Sequence, residues 1–327
     1  MGDYQGVWIL FPPFKGDSRG LTHLITFLYV NTMAKTTEIA EGIFRIETPV
    51  GIMKFQPTAF LIKNADVLIE PGPAICIPPL NRALKQLGIK KLSYIIPTHI
   101  HMDHAGGTGT LAKLYPEAKV LVHPRGAKHA IDPSRLTDSV KMVWGENFEV
   151  NFGPITAVSE SQIKTVEDGE VIHAGDRDLQ FIYTPGHAPH QIAIFDHKLK
   201  GLFCGEALGM PGYQLPTAAP MSFDLENYLS TIDKLQHSDL DIKMLIYSHG
   251  GIERDPDKCM SRAAENARAF GDIVLQALGQ GKNRAEIGKV VGDYIKKHYA
   301  SDMKTDDQGF ETIATGYITY FEKRKKT

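Results

Sequence analysis

The sequence predicts an α/β fold in which two strand-rich halves with interspersed helices precede a helical tail. Three observations predict it. Between residues 43 and 247, short runs rich in β-branched and aromatic residues recur with turn residues between them. Two of these runs, Leu92 to Pro97 and Ile242 to Tyr247, are apolar without alternation, the pattern of a strand covered on both faces. Beyond residue 256, Met260, Ala263, Ala267, Phe270, Val274 and Ala277 recur at helical spacing and draw one apolar face.

Taken in order, Ile43 to Thr48, Ile52 to Ile62 and Ala65 to Ile69 read as paired strands, the third closing on Glu70-Pro71-Gly72. A helix from Ile77 to Leu87, the buried strand Leu92 to Pro97, a helix from Gly106 to Tyr115 and a strand from Lys119 to His123 follow. Residues 124 to about 162, broken by Pro124, Pro133 and Pro154, read as an insertion with one or two helical stretches. Strands resume at Ile163 to Val166, Glu170 to His173, Leu179 to Thr184, Gln191 to Phe195 and Leu199 to Cys204. The Gly/Pro-rich loop Leu208 to Pro220, a helix near Leu225 to Gln236 and the strand Ile242 to Tyr247 complete this part. Two further tail helices are expected, Ala285 to Tyr299 and Phe310 to Lys323.

Three regions result: an N-terminal extension over 1–35 outside the core fold, a main domain over 36–255, and a helical region over 256–327. Within the extension, Leu21 to Val30 is apolar over about ten residues, too short to span a bilayer as a helix. It contains His23, and no small-x-small cleavage site follows it, which argues against a signal segment. Net charge is −2, so neither nucleic acid nor a membrane is the expected partner. Cys76, Cys204 and Cys259 lie far apart and form no CxxC pair, which points to a reducing, cytoplasmic setting. The apolar faces of the tail either pack on the main domain or form a homodimer.

Chemistry concentrates in Thr98-His99-Ile100-His101-Met102-Asp103-His104-Ala105-Gly106-Gly107, at the junction of a buried strand and a helix. Imidazole and carboxylate are the ligand types that zinc, iron(II) and manganese accept. Residues two apart in extended chain point the same way, so His99 and His101 can converge on one ion while Asp103 and His104 turn toward a second. A chance H-x-H-x-D-H is expected roughly once in a thousand chains of this length, so a ligand set is the stronger reading.

This segment resembles the signature of the metallo-β-lactamase superfamily, and later residues match in order over roughly 40 to 255. Thr184-Pro185-Gly186-His187, Gly205-Glu206-Ala207 and Ser248-His249-Gly250 each follow a strand, as the family's remaining ligand segments do. The resemblance implies a four-layer αββα sandwich with a C-terminal helical appendage. It also implies two divalent metal ions, zinc foremost with iron or manganese as alternatives. His99, His101 and His187 would hold one ion, Asp103, His104 and His249 the other, with Glu206 bridging. Two departures stand out. The bridging residue is usually aspartate, so Glu206 is one methylene longer and either bridges with changed metal spacing or binds one ion. Glu70 likewise replaces the aspartate of an Asp-x-Gly motif, where it would tie down the histidine loop.

The implied reaction is hydrolysis of an ester, lactone or related carbonyl substrate with an apolar part, by a hydroxide that the metals activate. Asp103 would orient the nucleophile and pass a proton to the leaving group. Tyr213, in the charge-poor loop after Glu206, and His190, three residues past His187, are candidate substrate-binding residues. The phrase Gly-His-Ala-Pro-His-Gln and the helical tail are most similar to lactonase and esterase-like branches. A glyoxalase-type thioesterase fits less well, because its basic glutathione-binding residues are not identified in this sequence. Two alternatives stay open: a mononuclear-iron sulfur dioxygenase, and a metal-binding scaffold with little turnover.

Overall fold

The protein is described by a computed structural model that covers residues 33–48, 58–145, 148–299 and 307–325. The apolar run Leu21 to Val30 and the first part of the expected strand Ile52 to Ile62 lie outside the described residues. Among the described residues, thirteen strands form two mixed sheets. The first sheet has seven, in sequential order: β1 (Lys35–Ala40), β2 (Ile43–Glu47), β3 (Thr58–Ile62), β4 (Val67–Ile69), β5 (Tyr94–Ile96), β6 (Lys119–Val122) and β7 (Ile163–Thr165). The second has six, ordered β13-β12-β11-β10-β9-β8: β8 (Val171–Ala174), β9 (Arg177–Tyr183), β10 (Ile192–Asp196), β11 (Gly201–Gly205), β12 (Met244–Tyr247) and β13 (Ile252–Glu253). β1 and the two-residue β13 have no counterpart in the sequence reading, the first because four of its six residues are polar and none is buried.

The two sheets face each other through Ile43, Phe60, Ile62, Ile69 and Ile96 on one side and Phe181, Ile192, Ile194, Phe203 and Ile246 on the other, all buried. Outside the first sheet lie α1 (Ile77–Gln86) and α3 (Thr108–Leu114), whose Leu80, Ala83, Leu84 and Leu111 pack on Leu61, Leu68, Ile95 and Val120. Outside the second lie α7 (Leu225–Gln236), α8 (Pro256–Gly279), α9 (Arg284–His298) and α10 (Asp307–Arg324). Tyr228, Ile232, Met260, Phe270 and Tyr317 from these helices meet Ala193, Phe195, Leu202 and Leu245. The layers therefore run helix, sheet, sheet, helix. The chain between β6 and β7 folds as three helices, α4 (Pro124–Ile131), α5 (Ser134–Trp144) and α6 (Phe148–Phe152), more regular than the expected insertion.

Topology places the chemistry. β4, β5 and β6 are parallel, and β9, β11 and β12 run in a common direction, because β10 is antiparallel to both its neighbours and β11 pairs parallel with β12. The loops that leave these strands gather at one rim of the sandwich, where Ile192 N donates to the Thr98 carbonyl at 2.8 Å and Thr58 N to that of Ser248 at 3.2 Å. At the far end of the second sheet, Arg177 pairs with the fully buried Asp196 at 3.1 Å, and Asp196 also accepts from the amides of Lys198 and Leu199. Removing one partner of such a pair leaves a buried charge without compensation. Arg177→Met is expected to lower unfolding stability by about 3 kcal/mol, measured by denaturant unfolding.

Candidate metal centre

Each candidate ligand is set by the strand before it. β5 ends at Ile96, and the chain continues extended through His99 and His101 into the single turn α2 (Met102–Ala105), which carries Asp103 and His104. The expected helix from Gly106 thus divides into α2 and α3 about Gly106-Gly107. β9 leads to His187, β11 to Glu206 and β12 to His249. Glycine precedes two of these ligands for steric reasons. At Gly186 (φ 143°) a Cβ would sit 2.4 Å from Tyr228 Cα, and at Gly205 (φ 56°) it would sit 3.0 Å from Thr98 Oγ1.

The result is two adjoining groups, His99, His101, His187 and Glu206, and Asp103, His104 and His249, with the donor atoms of each group within 4.8 Å of one another. His101 Nδ1 lies 3.0 Å from His99 Nε2 and 2.9 Å from His187 Nε2. Glu206 Oε2 lies 2.8 Å from His187 Nε2, 3.4 Å from His99 Nε2 and 3.3 Å from His104 Nε2. Its other oxygen, Oε1, is 3.6 Å from His249 Nε2, and Asp103 Oδ2 is 3.4 Å from His104 Nε2 and 3.8 Å from His249 Nε2. The longer acid therefore reaches both groups.

Contacts on the outer nitrogens of His187, His104, His99 and His101 fix which nitrogen of each of these rings faces inward. His187 Nδ1 donates to the Thr217 carbonyl at 2.6 Å, and His104 Nδ1 to Glu70 Oε2 at 2.9 Å. His99 Nδ1 is 3.1 Å from Thr98 Oγ1, whose own hydrogen goes to Glu70 Oε1. His101 is turned the other way, with Nε2 3.5 Å from Ser222 Oγ and Nδ1 inward. Glu70 Oε1 also accepts from Ser248 Oγ at 2.9 Å. One buried carboxylate thus ties the residues before His99 and His249 to His104 itself. Glu70 holds this position with a left-handed backbone (φ 61°), which costs roughly 1–2 kcal/mol in a non-glycine residue.

Inward nitrogens without protons, about 3 Å apart, repel through their lone pairs unless a cation or a proton lies between them. The buried His104 Nε2 has no hydrogen-bond partner. Together with the imidazole and carboxylate donor set, this fits divalent metal ions of the zinc, iron or manganese type. In the absence of metal, protons take the cation's place unevenly. Burial, reinforced by His104 and His101, pushes His99 well below the usual imidazole value, and burial with His187 lowers His101 to about 4. At His104 burial also disfavours the charged ring, but Glu70 and Asp103 outweigh it and raise the pKa well above 6.5. His187 is raised likewise, Glu206 prevailing over burial. Asp103 and Glu206 are held below the carboxylate range, burial being overcome by His104 and His249 at the first and by His187 and His104 at the second.

The structure brings together His99, His101, Asp103, His104, His187, Glu206 and His249, with Glu70 behind them. His190 stands beside the cluster, its ring stacked 6.2 Å from His99 and edge-on 5.8 Å from His101, with Nδ1 facing the Ile100 amide at 3.5 Å. Tyr213 is placed elsewhere: its ring meets Tyr299 at 5.9 Å and its carbonyl accepts from Asn266. Thr217 and Ser222 are site residues that sequence reasoning missed, since no local pattern marks a loop carbonyl or hydroxyl that serves a distant ring. Thr98 and Ser248 were within reach, each being a hydroxyl residue directly before a ligand at a strand end.

The network around Glu70 can be tested directly. Glu70→Gln puts an amide where three donors converge, so zinc affinity is expected to fall by about 10–100-fold in a competition titration. Because the raised His104 and His187 carry protons in the metal-free fold, their stabilising contribution is present below pH 6.5 and fades as pH rises through their folded values. Metal displaces those protons, so the rise in Tm on adding zinc is expected to grow between about pH 6 and pH 8.

The family model of the metallo-beta-lactamase superfamily matches residues 53–249. A metallo-beta-lactamase fold-containing protein of Sulfurisphaera tokodaii is 27% identical over 221 residues, 66% of this chain and 78% of its own. An acyl-coenzyme A thioesterase of Homo sapiens is 25% identical over 52% of this chain and 64% of its own. A hydroxyacylglutathione hydrolase of Francisella philomiragia is 28% identical over 54% of this chain and 59% of its own. Among solved structures, a metallo-beta-lactamase family protein from Thermus thermophilus superposes with a TM-score of 0.67 at 18% identity, over 88% of this chain and 95% of the other. The matched region runs from just before β3 to the last ligand histidine, and the chain belongs to the metallo-beta-lactamase superfamily.

Proposed function

We propose that the chain is a metal-dependent hydrolase that cleaves a carbonyl substrate, an ester, lactone or thioester with an apolar acyl part, in the cytoplasm. The observation that carries the reading is the reach of Glu206, one oxygen toward His99, His187 and His104 and the other toward His249, with a half-open Asp103 carboxylate beside it. The names of the human and Francisella relatives support hydrolysis and bring thioesters, which the sequence reading ranked lower, level with esters and lactones. The insertion backs the ligand loop: Leu136, Ile155 and Val158 enclose, with Ile100 and Met102, a cavity of about 30 Å³ that none of the candidate ligands lines.

His99, His101, His187 and Glu206 would hold one cation and Asp103, His104 and His249 a second, zinc foremost. Bound there, the cations would supply Lewis acidity, bringing a water toward ionisation and polarising the substrate carbonyl. Asp103, kept ionised by His104 and His249, takes a proton from the attacking water at Oδ2. The water oxygen adds to the carbonyl carbon. As the bond from that carbon to the leaving oxygen or sulfur breaks, Asp103 returns the proton to the leaving group. Glu70, Thr217 and Ser222 keep the rings oriented throughout. His190, beside the cluster, is assigned to substrate contact.

A panel of nitrophenyl esters, γ-lactones and acyl thioesters tests the reading. Turnover of at least one class is expected, abolished by chelation and restored by zinc, manganese or iron(II). Turnover that survives metal removal, or none with metal bound, would exclude it. Asp103→Asn is expected to lower kcat by about 10²–10⁴-fold, and His101→Ala to remove both metal and activity, whereas Glu206→Asp keeps the metal.

A further inference from the structure

The segment 208–223, directly after Glu206, is gripped from two sides. Its inner side serves the ligands. The Thr217 carbonyl accepts from His187 Nδ1 at 2.6 Å, and Thr217 Oγ1 donates to the Glu206 carbonyl at 3.2 Å. Ser222 Oγ donates to the His187 carbonyl at 2.9 Å and faces His101 Nε2.

Its outer side is held by the C-terminal helices. Asn266 of α8, buried, donates Nδ2 to the carbonyls of Tyr213 and Gln214 at 2.8 and 3.1 Å. Arg262 donates to the Gly212 carbonyl at 3.1 Å, and Lys323 of α10 to that of Met221 at 3.0 Å. Phe223 packs on Tyr317 with ring centroids 4.7 Å apart. The tightest approach is at Gly316 in α10. A Cβ there would lie 2.2 Å from the Ala218 carbonyl oxygen and 2.7 Å from its carbon. A glycine inside a helix is costly, and nothing in the helix itself calls for one. Its explanation is the backbone of Ala218, the residue next to Thr217.

We propose that the C-terminal helices are a positioning element of the metal centre, with the backbone at Gly316 and the side chain of Asn266 setting the loop from which Thr217 orients His187. This rests on the reading of the cluster as a cation site, not on any particular reaction. The helices are then a structural part of the centre, although they lie beyond the last ligand in sequence and contribute none. A ring that has lost its carbonyl partner turns more freely and adopts the metal-binding tautomer less often, which weakens metal binding without removing a ligand.

The experiment uses the full chain, stripped of metal and titrated with zinc against a chromophoric chelator, then loaded with cobalt(II) for its visible absorption. Gly316→Ala and Asn266→Ala are expected to weaken binding by about ten-fold and to shift the cobalt bands. Ile287→Ala opens a cavity in α9, from which no hydrogen bond among the described residues reaches the loop. It is expected to lower Tm at least as much as Asn266→Ala while leaving zinc affinity and cobalt bands unchanged. Asn266→Ala, which introduces no clash, keeps the test open if Gly316→Ala does not fold. Wild-type affinity in the folded variants, or equal weakening in Ile287→Ala, would overturn the proposal. Failure of the wild type itself to bind zinc would remove it together with the reading of the cluster.

Discussion

Three imidazole nitrogens and a carboxylate oxygen converge at one rim of the sandwich, and their mutual repulsion is what the surrounding residues are arranged to hold. Left alone, His101 Nδ1 would not stay 2.9 to 3.0 Å from the inward nitrogens of His187 and His99. The rings are kept there from outside by Thr217, Thr98 and Ser222, and Glu70 anchors the strand ends that deliver them. In the free protein protons on His104 and His187 relieve part of this crowding, and a cation that enters takes their place.

The same arrangement separates the roles of the acids. Glu70 is buried and fully engaged in hydrogen bonds, so its work is mechanical. Glu206 faces inward and spans the two ligand groups. Asp103 lies in a single helical turn at the half-open edge, the position from which the proposed proton transfer would be made. Three carboxylates within one site thus differ in burial and partners, and their chemistry follows from that difference.

Much of this was legible in the sequence because it is local. The unalternating runs 92–97 and 242–247 marked buried strands, and His99-x-His101-x-Asp103-His104 lies where such a strand ends. Helical periodicity after 256 pointed to the tail helices, found as α8 to α10. What escaped depends on contacts between distant segments. The polar edge strand β1 carries no apolar pattern, the insertion is more helical than its prolines suggest, and Tyr213 turns toward Tyr299 although its loop follows Glu206. The grip of Thr217 on His187 spans 30 residues and uses a main-chain oxygen, which residue identity does not encode.

The most direct measurement is anomalous scattering at the zinc edge from crystals grown with that ion. A peak about 2.0–2.2 Å from His99 Nε2, His101 Nδ1 and His187 Nε2 is the predicted result, with Glu206 completing its coordination. Density confined to other surfaces, with these four groups uncoordinated at saturating zinc, would contradict the account.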